Sequence, residues 1–317
     1  MPINLHGRNF LTLRDFTKRE IEFLLLLSED LKAKKRVRTW NPLLRARNVA
    51  LIFEKSSTRT RCSFTVAAAD EGGHAEFLSR DDIHLGGKED IKDTARVLGR
   101  MFDGIQFRGF KHSVVETLAK YAGVPVWNGL TDEYHPTQIL ADMLTIKEHL
   151  GGLKGKKLVF MGDTRNNMGN SLMIGCAKLG LHYVACGHAS LLPSGDFTDE
   201  CRKIAEESAS GSTITVTDDP KEAVRGADVI YTDVWYSMGE EDKAAARKAI
   251  LSPYRVDAEL FESTGKPNSI FMHCLPAFKG SEVTEDVFEH PRSVVFDEAE
   301  NRMHTIKAIM VATIGDI

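Results

Sequence analysis

Short apolar segments rich in β-branched residues recur along the chain, each followed by a polar turn and an amphipathic stretch. In the first half, these segments predict strands at 49–53, 74–78, 104–107 and 124–127. The other stretches predict helices at 16–35, 59–69, 90–101 and 112–122. Strands that alternate with helices at this spacing are typical of a parallel, doubly wound sheet.

The second half repeats this alternation after a long helical pattern. That pattern begins at Pro136 and ends at Gly151 and Gly152, and glycine commonly ends a helix. Beyond it, the pattern predicts strands at 157–161, 182–186, 213–217, 228–232, 269–273 and 293–296, and a final helix at 301–314.

The pattern therefore predicts an α/β fold of two doubly wound, parallel-sheet (Rossmann-like) domains joined by two helices. The first domain is expected at 1–150, with a C-terminal helix at 300–317 packing back on it, and the second at 151–299. Ligands of such sheets bind at the carboxyl ends of the strands. Polar residues that directly follow a predicted strand are therefore the candidates for a site.

Composition narrows the classes of function. The chain has 317 residues, of which 42% are hydrophobic and 27% charged, and its net charge is −4 without a basic tract. Nucleic acid is therefore an unexpected partner. Apolar runs such as Phe23–Leu27 are too short to span a bilayer, and no secretory signal is evident, so no membrane association is expected. The five scattered cysteines lack a Cys-x-x-Cys pair, which favours a reducing cytoplasm over disulfides or a zinc site.

The polar segment Ser57–Arg61 lies where the strand 49–53 ends and the next helix begins. Unpaired N–H groups and the positive end of the helix dipole make such a turn a site for an anion. Its hydroxyls and two arginines are suited to phosphate oxygens. A capped, solvated helix start is the structural alternative, but the density of these donors favours phosphate.

Two further groups follow strands or open a helix in the first half. Arg108 follows the strand 104–107 and, taken alone, would be a surface arginine. His135 precedes Pro136, and Gln138 lies on the first turn of the long helix. A histidine that donates to a carbonyl oxygen, beside a glutamine amide that can meet an adjacent NH₂ group, suits a ligand that carries both groups. A purely structural N-terminal histidine is the alternative.

The loop after the strand 157–161 lacks Gly-x-Gly-x-x-Gly, so a nicotinamide cofactor is disfavoured. Its Asn166 and Asn167 could hold the α-carboxylate and α-ammonium of an amino acid, or simply form an Asx turn. Asp233 follows the strand 228–232, where a carboxylate can hold an ammonium, and Ser237 can add a hydroxyl.

Cys274 follows the strand 269–273, at another carboxyl edge. A free cysteine is usually a buried apolar residue, which is the structural alternative here. Its position after a strand instead favours a place in the site. We do not predict a covalent nucleophile, because the sequence shows no base poised beside it.

Several of these segments match motifs of one family. Ser57–Arg61 resembles the carbamoyl-phosphate signature of the aspartate/ornithine carbamoyltransferases, and 135–138 resembles their His-Pro-x-Gln motif. The pattern Asp-x-x-x-Ser-Met-Gly at 233–239 resembles the loop that marks the ornithine branch, and 273–276 resembles the family's His-Cys-Leu-Pro. The motifs occur in the family's order from Ser57 to Arg302, over nearly the whole chain.

The resemblance implies transfer of the carbamoyl group of carbamoyl phosphate to the side-chain amine of L-ornithine, giving L-citrulline and phosphate. This reaction serves arginine biosynthesis or catabolism, needs no metal or organic cofactor, and occurs in homotrimers or multiples of trimers. Carbamoyl-phosphate binding is implied for Ser57, Thr58, Arg59, Thr60, His84, Arg108, His135, Gln138, Cys274, Leu275 and Arg302. Ornithine binding is implied for Asn167, Asp233, Ser237 and Met238. Catalytic roles are implied for Arg108, His135, Asp233, Cys274 and Arg302.

One position departs from the family pattern: His84 stands where many relatives carry glutamine. In the family, this loop reaches into a neighbouring subunit's active site, so a titrating side chain there is expected to make activity more sensitive to pH. The alternatives left open are a carbamoyltransferase acting on putrescine or a modified ornithine, and a ligand-binding relative without activity. Retention of the motif residues argues against the second.

Overall fold

The computed structural model describes residues 3–39, 42–83, 89–236 and 240–316. The chain forms two compact units, one made of Met1–Leu144 with Glu300–Ile317 and the other of Thr145–Ala299. The division falls inside the helices α5 and α12, defined below, so these two helices pass from one unit to the other.

The first unit contains a four-stranded parallel sheet with the order β2-β1-β3-β4. Its strands are β1 (Asn48–Phe53), β2 (His74–Ser79), β3 (Gly104–Arg108) and β4 (Val126–Leu130). Its helices are α1 (Lys18–Arg36), α2 (Thr58–Asp70), α3 (Ile91–Leu98), α4 (His112–Tyr121) and the start of α5 (Pro136–Leu150). The chain winds outward in opposite directions from β1 and β3, so the topological switch point lies between these two strands.

The second unit contains a five-stranded parallel sheet with the order β7-β6-β5-β8-β9. Its strands are β5 (Lys157–Met161), β6 (His182–Cys186), β7 (Ile214–Thr217), β8 (Val229–Thr232) and β9 (Ile270–His273). The remaining helices are α6 (Asn167–Leu179), α7 (Gly195–Glu207), α8 (Pro220–Val224), α9 (Ala244–Leu251), α10 (Ala258–Glu262), α11 (Glu285–Phe288) and α12 (Val295–Ile314). Short 3-10 helices occur at Leu13–Asp15, Ala189–Leu191, Glu241–Lys243 and Ser252–Tyr254. The switch point of this sheet lies between β5 and β8.

The predicted fold class is confirmed, and nine of the ten predicted strands are present within three residues of their expected ends. The strand predicted at 293–296 is wrong. Ser293 makes only an isolated bridge to Phe271, and α12 already begins at Val295. The β-branched run there is too short to separate a strand from a helix, and Asp297 and Glu298 supply the acidic first turn that favours a helix start.

Most strands of each sheet are buried, as expected for parallel strands, whereas the edge strands β2 and β7 are only partly buried. In the first unit, α12 packs against the sheet near its end, where the Trp127 indole N–H donates to Thr313 Oγ1 over 3.1 Å. All five cysteines are free. Over the described ranges, no helix is both long enough and apolar enough to cross a membrane.

Candidate active site

The turn after β1 opens α2 at one side of the first switch point. Ser57 is the N-cap residue of α2, and its Oγ accepts a hydrogen bond from the Thr60 backbone N–H over 3.1 Å. The capping role and the anion site are therefore compatible, because one hydroxyl satisfies only one of the free N–H groups. The first turn holds no acidic residue, which leaves its positive potential open to an anion. Arg61 is the exception among the predicted donors, since its guanidinium lies 3.7 Å above the Phe77 ring.

A buried hydrogen-bond chain links this turn to α5 and α12. Arg302 is 1% exposed; its Nη2 donates to Thr60 Oγ1 over 3.0 Å and its Nη1 to Gln138 Oε1 over 2.6 Å. Gln138 Nε2 in turn donates to Asp142 Oδ1 over 2.8 Å. The two bonds fix the Gln138 amide, because its oxygen must face the guanidinium and its NH₂ group the carboxylate. Sequence reasoning missed Asp142, although its position four residues after Gln138 puts both on one face of α5.

Two more predicted residues lie at the same edge. Arg108 ends β3, where it is the register partner of Phe53 at the end of β1, and only 9% of it is exposed. His135, just before α5, is 4% exposed, and its Nδ1 lies 3.4 Å from Thr137 Oγ1.

His135 is electrically neutral in this environment. Burial lowers the pKa of its imidazole well below the usual value, because the charged form loses its hydration. The positive charges of Arg302, Arg108 and Arg59 lower this pKa further. The first unit thus gathers several guanidinium groups around one neutral imidazole, an arrangement suited to an anionic ligand.

In the second unit, Asp233 follows β8 at the second switch point. Its Oδ1 accepts from Cys274 Sγ over 3.1 Å and from the Val234 backbone N–H over 2.8 Å. Its Oδ2 accepts from Asn166 Nδ2 over 3.1 Å. The Cys274 thiol is the hydrogen donor in this contact, which joins the residues that follow β8 and β9.

The two asparagines at the start of α6 have different positions and roles. Asn166 is the N-cap residue of α6, with its Oδ1 accepting from the Gly169 N–H over 2.8 Å while its Nδ2 holds Asp233. Asn167 is the first residue of the helix. A turn role and a ligand role were the alternatives for both residues, and Asn166 has the turn role, as the N-cap residue of α6.

The turn after β9 is held by the side chain of its first residue. Leu275 has a positive φ of 57°, and its backbone N–H donates to His273 Nδ1 over 2.9 Å. Asp233, His273 and Cys274 each have one atom that could bind a metal ion, and these atoms lie within 4.8 Å of one another. These atoms already hydrogen-bond to one another or to the backbone, and we assign no metal to them.

Three predicted residues, His84, Ser237 and Met238, lie outside the described residues. Their predicted roles stay predictions.

Comparison with known proteins agrees with this geometry. The carbamoyl-phosphate-binding domain model of aspartate/ornithine carbamoyltransferase matches residues 8–148, and the aspartate/ornithine-binding domain model matches residues 154–313. The chain therefore belongs to the aspartate/ornithine carbamoyltransferase family.

Relatives of high sequence identity are named ornithine carbamoyltransferases. The chain is 60% identical to an ornithine carbamoyltransferase of Pseudothermotoga lettingae, covering 99% of this chain and 100% of that protein. It is 54% identical to a catabolic ornithine carbamoyltransferase of Bacillus licheniformis, covering 99% and 98%. The structure of ornithine carbamoyltransferase from Pyrococcus furiosus matches with a TM-score of 0.95 and 46% identity, covering 100% of both chains. The predicted resemblance to the ornithine branch is confirmed by these relatives.

Proposed function

We propose that this protein transfers the carbamoyl group of carbamoyl phosphate to the side-chain amine of L-ornithine, giving L-citrulline and phosphate. The observation that carries the proposal is the Asp233 carboxylate, held by Cys274 and Asn166 at the second switch point, where it can receive a substrate amine. The names of the full-length relatives support the same reaction.

Carbamoyl phosphate is bound through its phosphate by the N-terminus of α2. The N–H groups of the first turn and the side chains of Ser57, Thr58, Arg59 and Thr60 supply the donors, and Arg108 adds a second guanidinium. The buried bond from Arg302 to Thr60 ties this phosphate turn to the group that faces the carbamoyl oxygen.

The carbamoyl oxygen gains negative charge when the amine attacks the carbonyl carbon. Arg302 and His135 stabilise that charge, and His135 does so as a neutral donor, because its pKa is lowered by burial. The bond between carbon and the phosphate oxygen then breaks, and phosphate leaves with the electron pair. It takes up the proton that the attacking amine loses, while the arginines neutralise its negative charge. Gln138 fixes Arg302 in the acting position, and its second lone pair can accept from the carbamoyl NH₂ group.

The attacking amine must be neutral, since an ammonium has no free electron pair. Asp233 accepts its N–H groups and aims the lone pair, with the Cys274 thiol and the Leu275 carbonyl completing the turn around it. Asn167, Ser237 and Met238 hold the α-amino acid end of ornithine.

The test is citrulline-type carbamoylation measured with ornithine, putrescine, N-acetylornithine and aspartate as parallel acceptors, each with carbamoyl phosphate. Turnover with ornithine alone is expected. Faster turnover with putrescine or N-acetylornithine would leave the phosphate site standing and refute the acceptor assignment. No phosphate release with any acceptor would refute the catalytic proposal itself.

The assembly and compartment are part of the proposal. We propose a homotrimer or a multiple of trimers, as in the resembling family, which light scattering on the purified protein tests directly. A cytoplasmic location is supported by five cysteines that are all free.

A further inference from the structure

His273, which is not among the predicted site residues, accepts a hydrogen bond within the turn after β9. The His273 ring is completely buried, and its two nitrogens face in different directions. Nδ1 lies 2.9 Å from the Leu275 backbone nitrogen, and Nε2 lies 3.3 Å from Glu282 Oε1. Because a backbone N–H can only donate, Nδ1 must be the unprotonated nitrogen. The ring proton is therefore on Nε2, where it donates to the Glu282 carboxylate.

Glu282 is itself fixed in the interior. It is completely buried, and its Oε1 also accepts from the Phe278 backbone N–H over 2.6 Å. A second buried carboxylate, Glu298, accepts from the His273 backbone N–H over 3.0 Å and from the Tyr231 hydroxyl over 2.8 Å. His273 is thus held at its backbone and at its ring by two different carboxylates, which leaves the imidazole one orientation.

That orientation matters because of the residues that follow. Leu275 has a φ of 57°, a left-handed conformation that is uncommon for a residue with a branched side chain. The bond from its N–H to Nδ1 holds this conformation. Cys274 lies inside the closed turn, and its Sγ reaches Asp233 over 3.1 Å. Ring, thiol and Leu275 carbonyl are therefore set by one hydrogen-bonded turn.

We propose that His273 is a positioning residue, whose Nδ1 directs the Cys274 thiol and the Leu275 carbonyl, and that Glu282 sets its tautomer. His273 exchanges no proton with substrate, since one nitrogen is occupied by the backbone and the other by a buried carboxylate. The inference rests on the proposed function, in which Cys274 and Leu275 take part in aiming the amine.

The test compares two replacements that each mimic one nitrogen. The amide oxygen of asparagine falls near Nδ1, so His273→Asn keeps an acceptor for the Leu275 N–H. The amide of glutamine lies near Nε2, so His273→Gln keeps the Glu282 contact and loses the acceptor for the Leu275 N–H. We expect His273→Asn to retain kcat within about threefold, and His273→Gln to lose about 10–100-fold, the effect of one lost buried hydrogen bond on the aligned state. Both should lower the thermal midpoint by similar amounts, so stability alone cannot produce the difference.

A second readout does not depend on turnover. The alkylation rate of Cys274 by iodoacetamide, followed peptide by peptide, should rise in His273→Gln and stay near wild type in His273→Asn. Exposed Cys62 serves as the internal control in every sample. Glu282→Gln, which keeps an oxygen acceptor, should behave like wild type, whereas Glu282→Leu should behave like His273→Gln.

Equal losses of kcat in the two His273 variants, or a greater loss in His273→Asn, would overturn the inference. An unchanged Cys274 alkylation rate in His273→Gln would also overturn it. Failure of the proposed function is recognised separately, because wild type would then form no citrulline while the alkylation comparison still reports on the turn.

Discussion

Replacing Arg302 by lysine keeps the positive charge but removes the fork of the guanidinium, which separates geometry from charge. Arg302 bonds Gln138 Oε1 over 2.6 Å and Thr60 Oγ1 over 3.0 Å, with 1% of the residue exposed. A lysine ammonium is a single point of charge and cannot span both acceptors. A buried hydrogen bond to a charged group contributes roughly 1.5–3 kcal/mol. The loss of one such bond corresponds to a decrease of about 10–100-fold in kcat/KM for carbamoyl phosphate.

The assay is steady-state citrulline formation with carbamoyl phosphate varied at saturating ornithine. A second series varies ornithine at saturating carbamoyl phosphate. The KM for ornithine should change little, because Arg302 and its partners belong to the first unit. Arg202→Lys is the matched control, since Arg202 pairs with Asp199 over 2.7 Å at an exposed site. A kcat/KM in Arg302→Lys as high as in Arg202→Lys would refute the role of the fork.

The remaining predictions concern single contacts at the two edges. Because the pKa of His135 is lowered in the folded state, protonation favours unfolding, so stability should fall as pH drops below about 6.5. Between pH 7 and pH 5, the thermal midpoint should therefore decrease less in His135→Asn than in wild type. An equal decrease in both proteins would contradict the lowered pKa of His135. Cys274→Ser keeps a donor to Asp233 and should retain most activity, whereas Cys274→Ala should raise the KM for ornithine; identical kinetics in the two variants would contradict the contact. Asn166→Ala removes both the α6 cap and a bond to Asp233, so stability should fall by about 1 kcal/mol and the KM for ornithine should rise, measured by urea unfolding and kinetics. Asn166→Ser keeps a capping oxygen but lacks the amide donor to Asp233, so it should restore stability without restoring the KM; full recovery of the KM in this variant would contradict the contact.

The sequence could predict where the site residues lie on each sheet, because most of these residues directly follow a strand. Each motif comes after an apolar run or opens a helix, and local patterns are enough to find such junctions. The order of the strands was not available from these patterns. It decides which junctions are neighbours, and it puts Asp233 beside Asn166, because β8 pairs with β5.

Partners that depend on the packing of the chain, and not on a local pattern, could not be predicted for the same reason. Glu282 bonds a residue nine positions away, through a turn whose shape depends on a left-handed Leu275. Asp142 has no local feature that separates it from an ordinary helix carboxylate, and only the packing of α12 against α5 makes it the end of the Arg302 chain. The strand prediction at 293–296 failed differently, because a run of apolar residues that short satisfies either period.

The two switch points have a consequence for how such enzymes can diversify. In the first unit, the proposed donor site is a closed network in which a change at any member leaves a buried partner unsatisfied, so substitutions there must occur together. In the second unit, the proposed acceptor site depends on residues that follow β5 and β8, among them Asn166 and Asp233. Natural variation can therefore rewrite the choice of amine while the handling of the activated carbamoyl group is inherited intact.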